Sequence, residues 1–133
     1  MNTYTTRLAG TLLAVACLPA LAELESLPGD VNMPVSSKQF AMLSDLCEGC
    51  HGPGGQSERE EVPSLVGRPA DELMAEIERF YFYERHCPDV PVDPTHRQEG
   101  NMSMCDVTGQ MNKAEAMALA RYFESGVVPP ATP

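Results

Sequence analysis

Five neighbouring residues have the types and spacing for joint chemistry: Cys47-Glu48-Gly49-Cys50-His51. Two thiols three residues apart on one helical turn reach the vinyl groups along one edge of a porphyrin and form two thioethers. The next residue, His51, is carried beneath the iron as its proximal nitrogen ligand. Only cysteine makes the thioether, and imidazole suits iron. A Cys-x-x-Cys alone also suits half of a zinc site or a thioredoxin-like redox pair. A zinc site needs a second ligand pair, which Cys17, Cys87 and Cys105 do not supply. The α/β pattern around a thioredoxin-like motif is missing too. The pentapeptide therefore predicts one haem c, covalently attached through Cys47 and Cys50.

Such a haem is attached after export, and the N-terminus fits export. Arg7 lies in a weakly basic start, an apolar run spans Leu8 to Leu18, and Ala20-Leu21-Ala22 is an Ala-x-Ala cleavage site. Residues 1–22 read as a secretory signal peptide and 23–133 as the mature domain, placed in the periplasm. The apolar run is shorter than the ~20 residues of a membrane span. Ala14-Val15-Ala16-Cys17 loosely matches a lipoprotein box, so lipidation at Cys17 is the one route to a membrane.

The formal charge of the 133-residue chain is −10, and losing Arg7 with the signal makes it −11. This balance argues against nucleic acid and fits solubility or basic partners. Trp is absent, so a haem would be the largest flat apolar object in the core of so small a domain.

Three helices must position the motif. Ser36 or Ser37 caps the first, whose apolar face is Phe40, Leu43, Leu46 and Cys47; it runs straight into the cysteines. Gly52-Pro53-Gly54-Gly55 ends it. The second runs over Pro69 to Glu84, with Pro69 in its first turn, Leu73, Ile77, Phe80 and Tyr81 on one face, and an aromatic end at Phe80-Tyr81-Phe82-Tyr83. The third runs from Lys113 to Ser125, capped by Asn112 and stopped by Gly126, with Ala116, Leu119, Ala120 and Phe123 inward. Residues 23–35 show no helical period and read as an extended segment.

Cys47-Glu48-Gly49-Cys50-His51-Gly52, followed by Val62-Pro63-Ser64-Leu65-Val66-Gly67, resembles the small class I cytochromes c of bacteria. The likeness is greatest to short single-haem forms, which also occur as haem domains of flavocytochrome c and of two-haem cytochromes. It spans about Phe40 to Phe123. It implies an all-α, cytochrome c-like fold of three to four helices around one covalently attached haem. It implies that Pro63 offers its carbonyl to His51 Nδ1, and that Arg85 stands near the haem propionates, where a solvated surface arginine is the competing reading.

The stretch near residues 84–103 departs from the family and reads as a Pro-rich loop. Its Cys87 and the later Cys105 are left over in an exported domain, where a disulfide between them is expected. Candidates for the distal iron ligand are Met102, Met104, Met111, His86, His96 or a cysteine. The family pattern has a methionine seven residues before the opening of the last helix, which selects Met104, with Met102 second. The remaining methionines Met42, Met74, Met111 and Met117 read as core fillers.

The resemblance implies a periplasmic one-electron carrier, not an enzyme, with iron held by His51 and Met104. Its partners would be redox proteins: a flavoprotein dehydrogenase, or a terminal oxidase or reductase. Two other readings stand beside it. One is the haem subunit of a dehydrogenase, such as a sulfide-oxidising flavoprotein. The other is a haem protein with a displaceable distal ligand.

Overall fold

Ser36 accepts a hydrogen bond from the Gln39 N–H through its side chain and so starts α1, Ser37–His51. Phe40, Leu43, Leu46 and His51 are its buried face. A computed structural model of the chain describes residues 26–92, 100–128 and 130. The expected signal peptide, with Cys17, lies outside the described residues, as does His96.

The described residues form four helices, a single 3-10 turn at Pro53–Gly55 and a two-stranded ladder. The helices are α1, α2 at Ala70–Tyr81, α3 at Met104–Thr108 and α4 at Lys113–Ser125. β1, Val90–Pro91, pairs antiparallel with β2, Asn101–Met102, in the register Val90 to Met102. The fold is mostly helical with this small sheet. The stretch read as a loop thus carries β1 and β2, too short to leave a strand pattern in the sequence.

The second helix is shorter than expected at both ends. Pro69 is its N-cap, in extended backbone with ψ 137°, and not its first helical residue. At the other end Tyr83 takes φ 56°. Tyr83 N–H then donates to Phe80 O at 3.1 Å and Glu84 N–H to Arg79 O at 2.8 Å. This is a Schellman close made without glycine, so no stop residue announced it. Proline cannot cap with a side chain; instead Glu124 of α4 accepts the Ala70 N–H at 3.1 Å.

α4 begins with a reciprocal capping box between Asn112 and Glu115 and ends at Gly126 with φ 71°. Its Leu119, Ala120 and Phe123 pack with Phe40, Leu43 and Leu46 of α1 and Leu73 and Met74 of α2 in one core. The extended N-terminal segment is part of that core. Leu27 is only 1% exposed, and Pro28 O accepts the Lys113 N–H at 2.9 Å. Met74 and Met111 are core residues, Met117 is partly buried against the core, and Met42 is 46% exposed. Met42 is thus no core filler, because position 42 falls off the face set by Phe40, Leu43 and Leu46.

Candidate functional site

A cavity of about 430 Å³ opens among α1, α2, α3, α4 and the loop after α1. Cys47, Cys50 and His51 line it from the last turn of α1; Met102 from β2 and Met104 from α3 line it as well. Leu46, Leu73, Ile77, Phe80, Leu119 and Phe123 supply much of its apolar wall. A volume of ~300–1,000 Å³ is the usual range for a cofactor site.

His51 is 5% exposed. Its Nδ1 lies 2.7 Å from the Pro63 carbonyl oxygen. That oxygen can only accept, so Nδ1 carries the hydrogen and the neutral ring keeps its lone pair on Nε2. Burial lowers the His51 pKa, and the bond to Pro63 opposes this only in part. The imidazole is therefore held neutral, oriented and in the tautomer suited to metal ligation through Nε2. Pro63 reaches it because the loop folds back on the glycine turn: Leu65 N–H donates to Gly55 O at 2.7 Å, and Gly67 N–H to Phe123 O at 2.8 Å.

Cys47 and Cys50 are both free and half-buried. Burial pushes the Cys47 thiol up to about 12, with the nearby Glu48 charge adding to it. Burial also raises Cys50, with Arg59 opposing. Both stay protonated at neutral pH, the opposite of the depressed values that reactive redox pairs show. Among the described residues no three His, Cys, Asp or Glu side chains cluster as a metal cage. The raised thiols do not favour a thioredoxin-like use of the pair.

Met104 is the first residue of α3, and Ser103 is its N-cap. Ser103 accepts the Asp106 N–H through its hydroxyl, and Asp106 accepts the Ser103 N–H at 3.1 Å and its hydroxyl at 2.6 Å. These two bonds hold the Asp106 carboxyl below the usual carboxylate range. Met104 therefore sits on a capped helix start, immediately after the stretch read as a loop. Cys105, next to it, is bonded to Cys87, with the two Cα atoms 5.9 Å apart.

Comparison of the chain with protein families, curated proteins and solved structures found no match.

Arg85 lines the cavity, but its guanidinium is engaged. It pairs with Glu76 and lies 4.8 Å from the centroid of the Phe80 ring. Partial burial pushes the Glu76 carboxyl up, and Arg85 and Arg79 outweigh this, so its value ends below the ordinary one. A second cation at the cavity, Arg68, pairs with Glu72 one helical turn on. Sequence reading did not single it out, although the Arg68–Glu72 spacing was a visible signal. His86 also lines the cavity and is exposed. Arg59 bridges the loop after α1 to β1, donating to Pro91 O at 2.6 Å across 32 residues, a contact with no local signature.

Behind the motif, Tyr122 Oη donates to Glu48 Oε1 at 3.0 Å. This bond ties the variable position of the pentapeptide to α4, while Phe40 packs edge-on against the Tyr122 ring at 5.4 Å. Burial first, then the Glu48 carboxylate, raises the phenol pKa. Tyr122→Phe keeps the ring and removes the bond. We expect it to lower stability by about 1 kcal/mol, toward the low end for a charged hydrogen bond because the pair is partly solvated. Urea unfolding checks this; an unchanged midpoint would show that the bond contributes nothing.

The residues at the cavity fit a haem: two thiols on one turn, an oriented neutral imidazole, three thioethers (Met102, Met104 and Met111) within the same cavity, and apolar walls. Among the described residues no helix is long and apolar enough to cross a membrane.

Proposed function

We propose that this chain is an exported, single-haem c-type cytochrome with a cytochrome c-like fold that carries one electron between redox proteins. The observation that carries the reading is the 2.7 Å contact of His51 Nδ1 with Pro63 O, in a cavity that Cys47, Cys50 and Met104 also line. Sequence spacing brings the two thiols to one turn. The Pro63 contact adds a proximal base in the right tautomer, and α3 adds a soft neutral thioether.

A haem held there supplies a ferrous–ferric couple. Cys47 and Cys50 tether it, and His51 binds through Nε2 while Pro63 keeps the ring oriented. Met104 would supply the second protein ligand, and a thioether there would raise the reduction potential relative to a second histidine. With His51 and Met104 both engaged, a haem there would offer no free position to a substrate. The apolar wall excludes water, which favours fast exchange with little reorganisation. Partners dock weakly and transiently, as electron-transfer encounters do.

The test is an optical spectrum of ferric protein produced with haem-attachment machinery, compared with Met104→Ala and Met102→Ala. We expect haem that survives denaturation, a weak near-infrared sulfur-to-iron band, and complete loss of that band in Met104→Ala only. Loss in Met102→Ala alone would move the ligand to Met102. Absence of covalent haem would overturn the proposal.

A further inference from the structure

The Pro-rich insertion places two residues of ligand type beside two half-cystines in the same order. His86 precedes Cys87, and Met104 precedes Cys105. The disulfide joins the second member of each pair, and the first member of each lines the cavity. We propose that the Cys87–Cys105 disulfide is a thiol-redox latch on the distal ligand: closed, it holds Met104 in the axial position; open, it lets His86 take that position. This rests on the haem reading above.

The mechanical argument starts from α3. It has five residues, far fewer than a helix needs to persist by its own bonds. Upstream of it, a ladder of two residues per strand is the regular pairing that returns the chain from β1. The disulfide joins α3 to the segment that follows α2, across a sequence separation of 18. Opening it restores the entropy of that loop and loosens the approach to Met104.

His86 is fixed differently. Arg85, just before it, is anchored by Glu76 and stacked over Phe80 on α2. Opening the disulfide frees the Cys87 side of His86 and leaves the Arg85 side anchored at the cavity. The same event therefore releases the thioether and gives an imidazole freedom to move while it stays close by. The two sulfurs are also unequal. Cys87 is half-buried and Cys105 is 5% exposed, so an external thiolate reaches Cys87 first.

The reductant is a dithiol, a small molecule or a dithiol protein. One of its thiolates attacks the Cys87 sulfur, the Cys87–Cys105 bond breaks, and Cys105 leaves as a thiolate that takes a proton. The second thiol of the reductant then resolves the mixed disulfide. Two electrons and two protons pass to Cys87 and Cys105, and the reductant leaves as its own disulfide. Exchange of thioether for imidazole lowers the reduction potential. The thiol poise of the compartment would thereby set which partners the carrier can reduce.

The experiment uses holoprotein, wild type and His86→Ala. Each is reduced with ascorbate, which leaves the disulfide closed, or with dithiothreitol, which opens it, confirmed by two titratable thiols. Carbon monoxide binding is then read optically. We expect no binding by either ascorbate-reduced protein, little by dithiothreitol-treated wild type, and full binding by dithiothreitol-treated His86→Ala. In a Cys87→Ser/Cys105→Ser variant the ferric near-infrared band should be lost. If that variant does not fold, the carbon monoxide comparison decides alone. Exclusion of carbon monoxide from dithiothreitol-treated His86→Ala would show that Met104 stays bound and would overturn the latch. Equal binding by wild type and His86→Ala would show that His86 does not take the site, with the same consequence. Absence of covalent haem, or of a Met104-dependent band in untreated protein, would instead sink the underlying reading.

Discussion

We expect the Cys47→Ala/Cys50→Ala chain, purified without haem, to show no cooperative thermal transition; free haem added to it should restore a transition and should be removed by acid–acetone extraction. The reason is the cavity. It is about 430 Å³ and mostly apolar. An empty apolar void costs about 24 cal/mol per Å³, so about 10 kcal/mol is the upper bound for keeping this one open without its occupant, reached only if water does not fill its open side. That equals the whole stability of an ordinary small domain, roughly 5–15 kcal/mol. Much of the core wall is also cavity wall: Leu46, Leu73, Leu119, Ala120 and Phe123 belong to both. On the haem reading proposed above, the core would not close without that occupant, and collapse around the gap would break the α1–α4 packing. His51 and its Pro63 partner remain in this variant, so free haem still finds a proximal base, without the covalent bonds. Calorimetry on the haem-free variant is the measurement. A sharp two-state transition within a few degrees of the wild type would show that the core is complete without haem.

The second large effect is at Gly55. Its φ is +77°, and a Cβ placed there would lie 2.6 Å from Phe123 Cδ1 and 3.1 Å from Leu65 Cβ. Phe123 is 3% exposed and cannot step aside into solvent. Gly55→Ala combines a left-handed backbone penalty of about 1–2 kcal/mol with overpacking of about 1–3 kcal/mol, so a loss of about 3 kcal/mol is expected. For a domain of this size that is a fall in Tm of roughly 15 °C. Gly54→Ala separates the two contributions. Gly54 also has positive φ, +61°, but nothing lies within 4 Å of its Cβ position. It should lose only the backbone part, about 1 kcal/mol. Equal losses at the two sites would show that the Phe123 contact is not the cause. The local consequence reaches the site: Gly55 O accepts the Leu65 N–H, and that loop presents Pro63 to His51.

Much of this protein was legible in its sequence because the determining signals are local. The spacing Cys47, Cys50, His51 sets three side chains on one turn whatever the rest of the chain does. Ser36, Asn112 and Gly126 mark helix ends by side-chain capping or a left-handed stop. The apolar faces of α1 and α4 follow from the 3.6-residue period. Other features were not legible, because they depend on partners far along the chain. Leu27 is buried only because α4 begins where Pro28 O can accept the Lys113 N–H. The second helix stops at Tyr81 through backbone bonds around a left-handed Tyr83, which no residue type signals. Glu124 caps α2 from 54 residues away.

The same division runs through the site. By itself the sequence determined which residues can bond a porphyrin edge and which base follows them, since that is a matter of residue type and helical pitch. The family likeness implied the Pro63 carbonyl as partner of His51 Nδ1; only the tertiary structure set that contact at 2.7 Å and added the burial, by elements from the whole chain, that keeps the ring neutral. Only the tertiary structure decided that Arg85 is engaged with Glu76 and that Arg68 stands at the same cavity. The expected Cys87–Cys105 pair meets in the fold, and the structure adds that it fastens the helix beginning with Met104 to the segment that follows α2. Spacing along a chain sets what one turn can offer; distance across the fold sets the charge, the tautomer and the tether, because these are properties of contacts between elements.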